Sequence, residues 1–250
     1  QKGKQKNYPA QNTGWAMESA LDLDMASAMC PNCRIWLVEA DSNSFRDLAA
    51  AVDTAARLGA HAISNSYGSS ESGTSAYESH YDHRGIAITA SAGDGGFGTV
   101  QFPATSPHVI AVGGTHLVPA TNARGWTETA IGGGGCSTVY PKPAWQTYPG
   151  CSKRVVADIA AVADPATGVA VYGPVSDTMS GWVVLGGTSV AAPIIAGVYG
   201  VNGHLVTYAS DLYTNATKLF DITSGMGAGP GYDPATGLGT PRSAKAFGER

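Results

Sequence analysis

Short apolar runs alternate with helical periodicity along most of this chain, and that alternation limits the folds open to it. Apolar residues at 17, 20, 21, 25 and 28 give the segment Trp15–Met29 a helical period, and Pro31 helps to end it. Arg34–Ala40 (R-I-W-L-V-E-A) reads as a buried strand. Asp41, Ser42, Asn43 and Ser44 offer N-caps for a helix over 45–58, and Gly59 stops it. His61–Tyr67, Ile86–Ser91 and Val109–Val112 read as three further strands, with a helical stretch at 75–84. Helices between short apolar strands predict an α/β fold, a mostly parallel sheet covered on both faces. In such sheets ligands bind beyond the carboxyl ends of the strands, where Asn65-Ser66-Tyr67-Gly68 and Ser91–Gly96 fall. Val169–Tyr172 and Trp182–Leu185 suit a hairpin. No internal repeat or second domain is visible, so residues 1–250 read as one domain, with 1–12 a polar arm.

Composition removes whole classes of function. Of 250 residues, 43% are hydrophobic and only 14% charged, which excludes a disordered chain. Fifteen Lys+Arg and a net charge of -4 argue against a nucleic-acid partner. No apolar run is long enough for a membrane span. No signal peptide is visible, so a mature or trimmed chain is expected. Cys30-Pro31-Asn32-Cys33 is compatible with redox chemistry, half a zinc site or a small ring. The second pair, Cys136 and Cys151, is too widely spaced for a four-cysteine zinc site. The pair at 30 and 33 closes a helix instead of opening one, unlike a thioredoxin motif. Two disulfides, 30–33 and 136–151, in an exported (secreted) protein are therefore expected.

Gly186-Gly187-Thr188-Ser189-Val190-Ala191-Ala192-Pro193 leads into the apolar run Ile194–Tyr199. A serine at the mouth of a buried helix sits near unpaired N–H groups and a positive dipole end. That suits a nucleophile whose attack creates an oxyanion. It also suits a plain N-cap. None of the histidines His61, His80, His83, His108, His116 and His204 lies in an H-G-T-type helix start that could supply a base. His80 and His83 have no obvious third ligand and suit a solvated pair. Glu18 and Asp22, four apart, project from one face of the first helix. Two carboxylates on an apolar helix repel and lose solvation, which raises one pKa and lets the pair share a proton. Such a pair can act as a general base in acid, where imidazole is protonated. The competing reading leaves both facing solvent with Asp24.

With these residues in view, the chain resembles the sedolisins, or serine-carboxyl peptidases, which share the subtilisin fold. Glu18-Ser-Ala-Leu-Asp22 looks like their E-x-x-L-D helix, and Ser91-Ala-Gly-Asp94 like their S-x-G-D loop. Phe102–Pro107, Val112–Thr115 and Gly187-Thr-Ser189 match further family segments. The resemblance implies that Ser189 is the nucleophile and Glu18 its general base. Asp22 would orient Glu18 and share its proton. Asp94 would donate to the oxyanion, which a carboxyl does only when protonated. It also implies one Ca²⁺ site, held by the side chains of Asp221 and Asp233 and the carbonyls of Ile222, Gly229 and Gly231; hard oxygen ligands suit that cation.

The implied activity is an acid-acting endopeptidase working on a protein or peptide substrate through an acyl-enzyme. Alternatives are a subtilisin-type Ser-His-Asp protease and a non-catalytic binding or structural derivative of the fold. Departures are Tyr67 in place of the Trp of S-W-G, and Ala157-Asp158 in place of Pro-Asp. Only 17 residues precede Glu18, where the family carries some dozens, including a central strand. A parallel sheet without that strand exposes apolar edges. The expectation is a nicked enzyme whose N-terminal segment is a separate chain of the same precursor; truncation, or replacement by residues 1–12, are the alternatives. A removed propeptide is implied as well.

Overall fold

The computed structural model describes residues 8–248. Its elements are α1 (Thr13–Met29), α2 (Phe45–Arg57), β1 (Ala62–Asn65), β2 (Ala87–Ser91), β3 (Ile110–Pro119), β4 (Trp126–Ile131), β5 (Gly135–Cys136), β6 (Val155–Val156), β7 (Ile159–Val162), β8 (Val169–Ser176), β9 (Met179–Leu185), α3 (Thr188–Asn202), α4 (Ser210–Thr214), β10 (Leu219–Phe220) and β11 (Thr240–Pro241). Part of the polar arm, residues 1–7, lies outside the described residues. The rest, 8–12, forms no helix or strand and ends on Asn12, whose Oδ1 caps α1 by accepting from the Trp15 N–H at 3.0 Å.

The main sheet runs β1-β2-β3-β4, with β7 also paired to β3. β1, β2, β3 and β7 are parallel, and only β4 is antiparallel. Every residue of β2 is buried, as expected of a strand covered on both faces. On one face Ile110, Val112 and Ile159 pack with Ile195 and Tyr199 of α3 and with Phe247. On the other, Ile88 and Ala111 pack with Ala49 and Val52 of α2 and with Phe102 and Tyr140. α3 is the central helix: Val190–Pro193 and Ile195–Tyr199 are all buried. α1 lies against α3 and β8, with Leu21 and Met25 meeting Val171 and Val190.

The hairpin forms as expected from β8 and β9. Its outer face carries the exposed pair Tyr172 and Trp182, with ring centroids 5.5 Å apart. Both disulfides are present, Cys30–Cys33 and Cys136–Cys151. The Arg154 guanidinium is fully buried on the carboxylate of Asp158, which also accepts from the Ala111 N–H at 2.8 Å. That pair ties the β6–β7 turn beneath β3.

Two expectations are corrected. Arg34–Ala40 forms no strand, and Ile35, Trp36 and Leu37 are 37%, 41% and 43% exposed. The reason is the absence of a neighbour: β1 pairs with β2 on one side only, and no described strand lies along its other edge. Without a partner ladder the extended segment has nothing to bond to. The stretch 75–84 is helical only as one 3-10 turn, Glu78–Tyr81.

Candidate active site

Two glycines bring the chain from β9 into α3. Gly187 has φ of +102°, a region L-residues avoid, and a Cβ there would lie 2.9 Å from Asp94 Oδ2. The first turn of α3 is then fixed from the end of β2. Ser91 Oγ donates to the Thr188 carbonyl at 3.1 Å, and Thr89 Oγ1 to the Ala192 carbonyl at 3.1 Å. Thr188 Oγ1 accepts from the Gly93 N–H at 3.1 Å. Ser189 is the second residue of this turn and half-buried. Pro193 stands four residues on, so the Ser189 carbonyl has no helical N–H to accept from.

Glu18 and Asp22 face Ser189 from α1, one turn apart. The Ser189 side chain lies beside Glu18 and acts on its pKa. Burial raises the Glu18 pKa; the polar Ser189 side chain opposes this and the charge of Asp94 adds to it. Glu18 Oε1 is buried and has no partner among the described residues. Asp22 is pushed up to about 7, first by burial and further by the charge of Glu18, against a hydrogen bond from Ser66. Ser66 Oγ lies 2.5 Å from Asp22 Oδ1 and 3.2 Å from the Ser189 carbonyl oxygen. Asp94 is exposed on its loop, and its Oδ1 accepts from the Thr188 N–H at 2.8 Å. An open cleft of about 370 Å³ runs past Glu18, walled by Trp15, Ser66, Tyr67 and Gly68.

The structure thus gathers Glu18, Asp22, Asp94 and Ser189 in one place from three separate segments. Ser66 and Tyr67 join them from the strand end that the sequence marks as a ligand-binding edge, although no motif assigns either a role. Tyr67 donates to Asn65 Oδ1 or pairs with the Tyr81 hydroxyl, at 2.8 and 3.2 Å. No histidine hydrogen-bonds Ser189 among the described residues. Four are paired with carboxylates elsewhere: His80 and His83 with Asp53, His108 with Glu78, and His116 with Asp164.

Each carboxylate expected to hold calcium is bonded to one of the glycines expected beside it. Asp221 Oδ2 accepts from the Gly231 N–H at 2.8 Å, and Asp233 Oδ2 from the Gly229 N–H at 3.4 Å. Asp233 is buried, which raises its pKa against several backbone bonds. Among the described residues no backbone N–H donates to the carbonyls of Ile222, Gly229 or Gly231. Two carboxylates and three unengaged carbonyls fit a hard cation. Among the described residues no three His, Cys, Asp or Glu side chains are grouped to hold a metal, so such a site rests mainly on backbone oxygen.

A parallel α/β sheet with a serine in the first turn of its central helix is the frame of a subtilisin-like peptidase, and the profile of the subtilase family matches residues 10–215. The chain belongs to that family of serine-type peptidases. Within it the similarity is to the sedolisins. Kumamolisin of Bacillus sp. (strain MN-32) is 34% identical over 275 aligned positions, covering 90% of this chain and 49% of kumamolisin. Human tripeptidyl-peptidase 1 is 29% identical over 209, covering 63% of this chain and 36% of its own length. The chain thus spans about half or less of the length of these relatives. Pseudomonas sedolisin, a serine-carboxyl proteinase solved with pseudo-iodotyrostatin, has a similar fold: TM-score 0.77 at 23% identity, covering 97% of this chain and 80% of that one. Sphericase follows at a TM-score of 0.57 and 26% identity, covering 80% and 64%.

Proposed function

We propose that the chain is the catalytic domain of a secreted serine-carboxyl endopeptidase that cleaves proteins or peptides in acid. One observation carries the reading: Ser189 stands beside Glu18, whose pKa its side chain lowers, with Asp22 one turn on, and no histidine hydrogen-bonds Ser189 among the described residues. Glu18 takes the Ser189 proton as the hydroxyl attacks the scissile carbonyl, and returns it to the leaving amine. Asp22 shares the negative charge of the pair and orients Glu18. Asp94, whose Oδ1 accepts from the Thr188 N–H, is the hydrogen-bond donor to the oxyanion. Water then cleaves the acyl-enzyme on Ser189 with Glu18 again as base.

Asp221, Asp233 and the carbonyls of Ile222, Gly229 and Gly231 would hold one Ca²⁺, remote from the chemistry, as a brace. Two disulfides support an exported protein, and no described helix is long and apolar enough to cross a membrane. The open edge of β1 and the exposed Ile35, Trp36 and Leu37 support a partner that pairs there as an extended strand, a separate segment of the same precursor. A propeptide removed on maturation completes the reading.

The test is a pH–rate profile on an acid-denatured protein substrate, with Ser189→Ala and Glu18→Gln beside the parent. Activity confined to acid and lost by about a thousandfold or more in both variants is expected. Full activity in Glu18→Gln, or a rate rising from pH 5 to 8, would overturn it. A folded parent that cleaves nothing would favour a binding derivative.

A further inference from the structure

Ser66 has a single hydroxyl proton and two acceptors, Asp22 Oδ1 at 2.5 Å and the Ser189 carbonyl at 3.2 Å. Both demands are real. The Ser189 carbonyl lacks its helical donor because Pro193 has no N–H. Asp22 accepts from no other side chain or backbone donor among the described residues, and Ser66 itself is buried. A charge-assisted bond is the stronger of the two, so the proton goes to Asp22 while that group is ionised. Once Asp22 is protonated its own O–H can donate to Ser66, and the Ser66 proton is released to the Ser189 carbonyl.

We infer that Ser66 is a positioning residue for the Glu18–Asp22 pair, a hydroxyl rotor that couples the proton on Asp22 to the main chain of the nucleophile. The inference rests on the peptidase reading above. Its consequence has a definite sign. Donation from Ser66 favours ionised Asp22, so removing the hydroxyl makes the pair hold its proton to higher pH. The titratable groups around it are few. Glu18 faces Asp22 from the same helix, Tyr67 lies beyond Ser66, and Asp94 faces Glu18. From α3 the Ser189 side chain faces Glu18. β8 packs on α1 through Val169, Val171 and Gly173, none of which titrates, and its Tyr172 is exposed.

Ser66→Ala and Ser66→Thr are measured beside the parent by kcat/KM against pH. The Asp22 carboxyl is followed by carbon NMR during titration in a Ser189→Ala background, where autolysis is absent. In Ser66→Ala the acid limb and the Asp22 titration should both move up by about one pH unit, and Ser66→Thr should restore them. A Ser66→Ala enzyme slower at every pH with an unmoved limb, or an Asp22 titration that does not shift, overturns the rotor while leaving the carboxylate mechanism intact. Should Ser66→Ala fail to fold, Ser66→Thr decides: a parent-like limb supports the inference, and a limb displaced despite a hydroxyl sinks it. A parent without acid-limited activity fails at the earlier reading instead, and the NMR titration then still tests the Ser66–Asp22 link.

Discussion

A carboxylate that has lost water is a stability term as well as a catalytic one. Asp22 is raised from 3.8 to about 7 by burial and the charge of Glu18. The folded protein therefore binds this proton more tightly than the unfolded chain. The resulting stabilisation is complete below 3.8 and disappears as pH rises through about 7. Asp22→Asn mimics the protonated acid at every pH, so it isolates the effect. The melting temperature of the parent should fall relative to that of Asp22→Asn between pH 4 and 8; a constant difference would mean that Asp22 is not held protonated by the fold. His108 points the same way, since its bond to Glu78 raises its pKa and that contribution too is lost as pH rises. At this scale the sequence reveals carboxylates and a serine by type and spacing. It does not reveal Ser66, whose partners lie 44 and 123 positions away.

At the scale of elements, the sheet and central helix are legible because burial on both faces writes itself as apolar runs, in Ile86–Ser91 and Val109–Val112. β4 is not, because its buried Glu128 serves Thr115, Arg124 and Thr240 and breaks the apolar pattern. Arg34–Ala40 fails for the opposite reason: its residues suit a strand, but a strand exists only beside another. The helix that carries Glu18 and Asp22 packs on β8 as well as on α3. A Cβ at Gly173 would stand 2.8 Å from Met17 Sδ and 3.1 Å from Ala20 Cβ. Gly173→Val should therefore push α1 outward, at a cost of about 1–3 kcal/mol in urea unfolding. Because Glu18 rides on that helix, kcat/KM should fall by about a hundredfold, which a misplacement of 1 Å can cause. Unchanged kinetics with lowered stability would show that α1 yields locally instead.

At the scale of the molecule, the Asp221–Asp233 loop closes against the main sheet through Ala130, beside which Gly225 packs with no room for a Cβ. A cation there would fasten the C-terminal segment to β4. Chelation with EGTA should lower the melting temperature of the parent, added Ca²⁺ should restore it, and Asp233→Ala should melt low and ignore both. Equal responses in parent and variant would remove the site.

The packing of α1 on α3 brings together groups far apart in the chain; even the link from Ser66 to Ser189 spans 123 positions. Contacts of that range form late, after the entropy of closing a long loop has been met. During synthesis the acidic pair emerges from the ribosome long before its serine does. No N-terminal fragment that ends before Ser189 contains both halves of the proposed reacting centre. Proteolytic power would arrive only with the last third of the chain, as a property of a finished molecule.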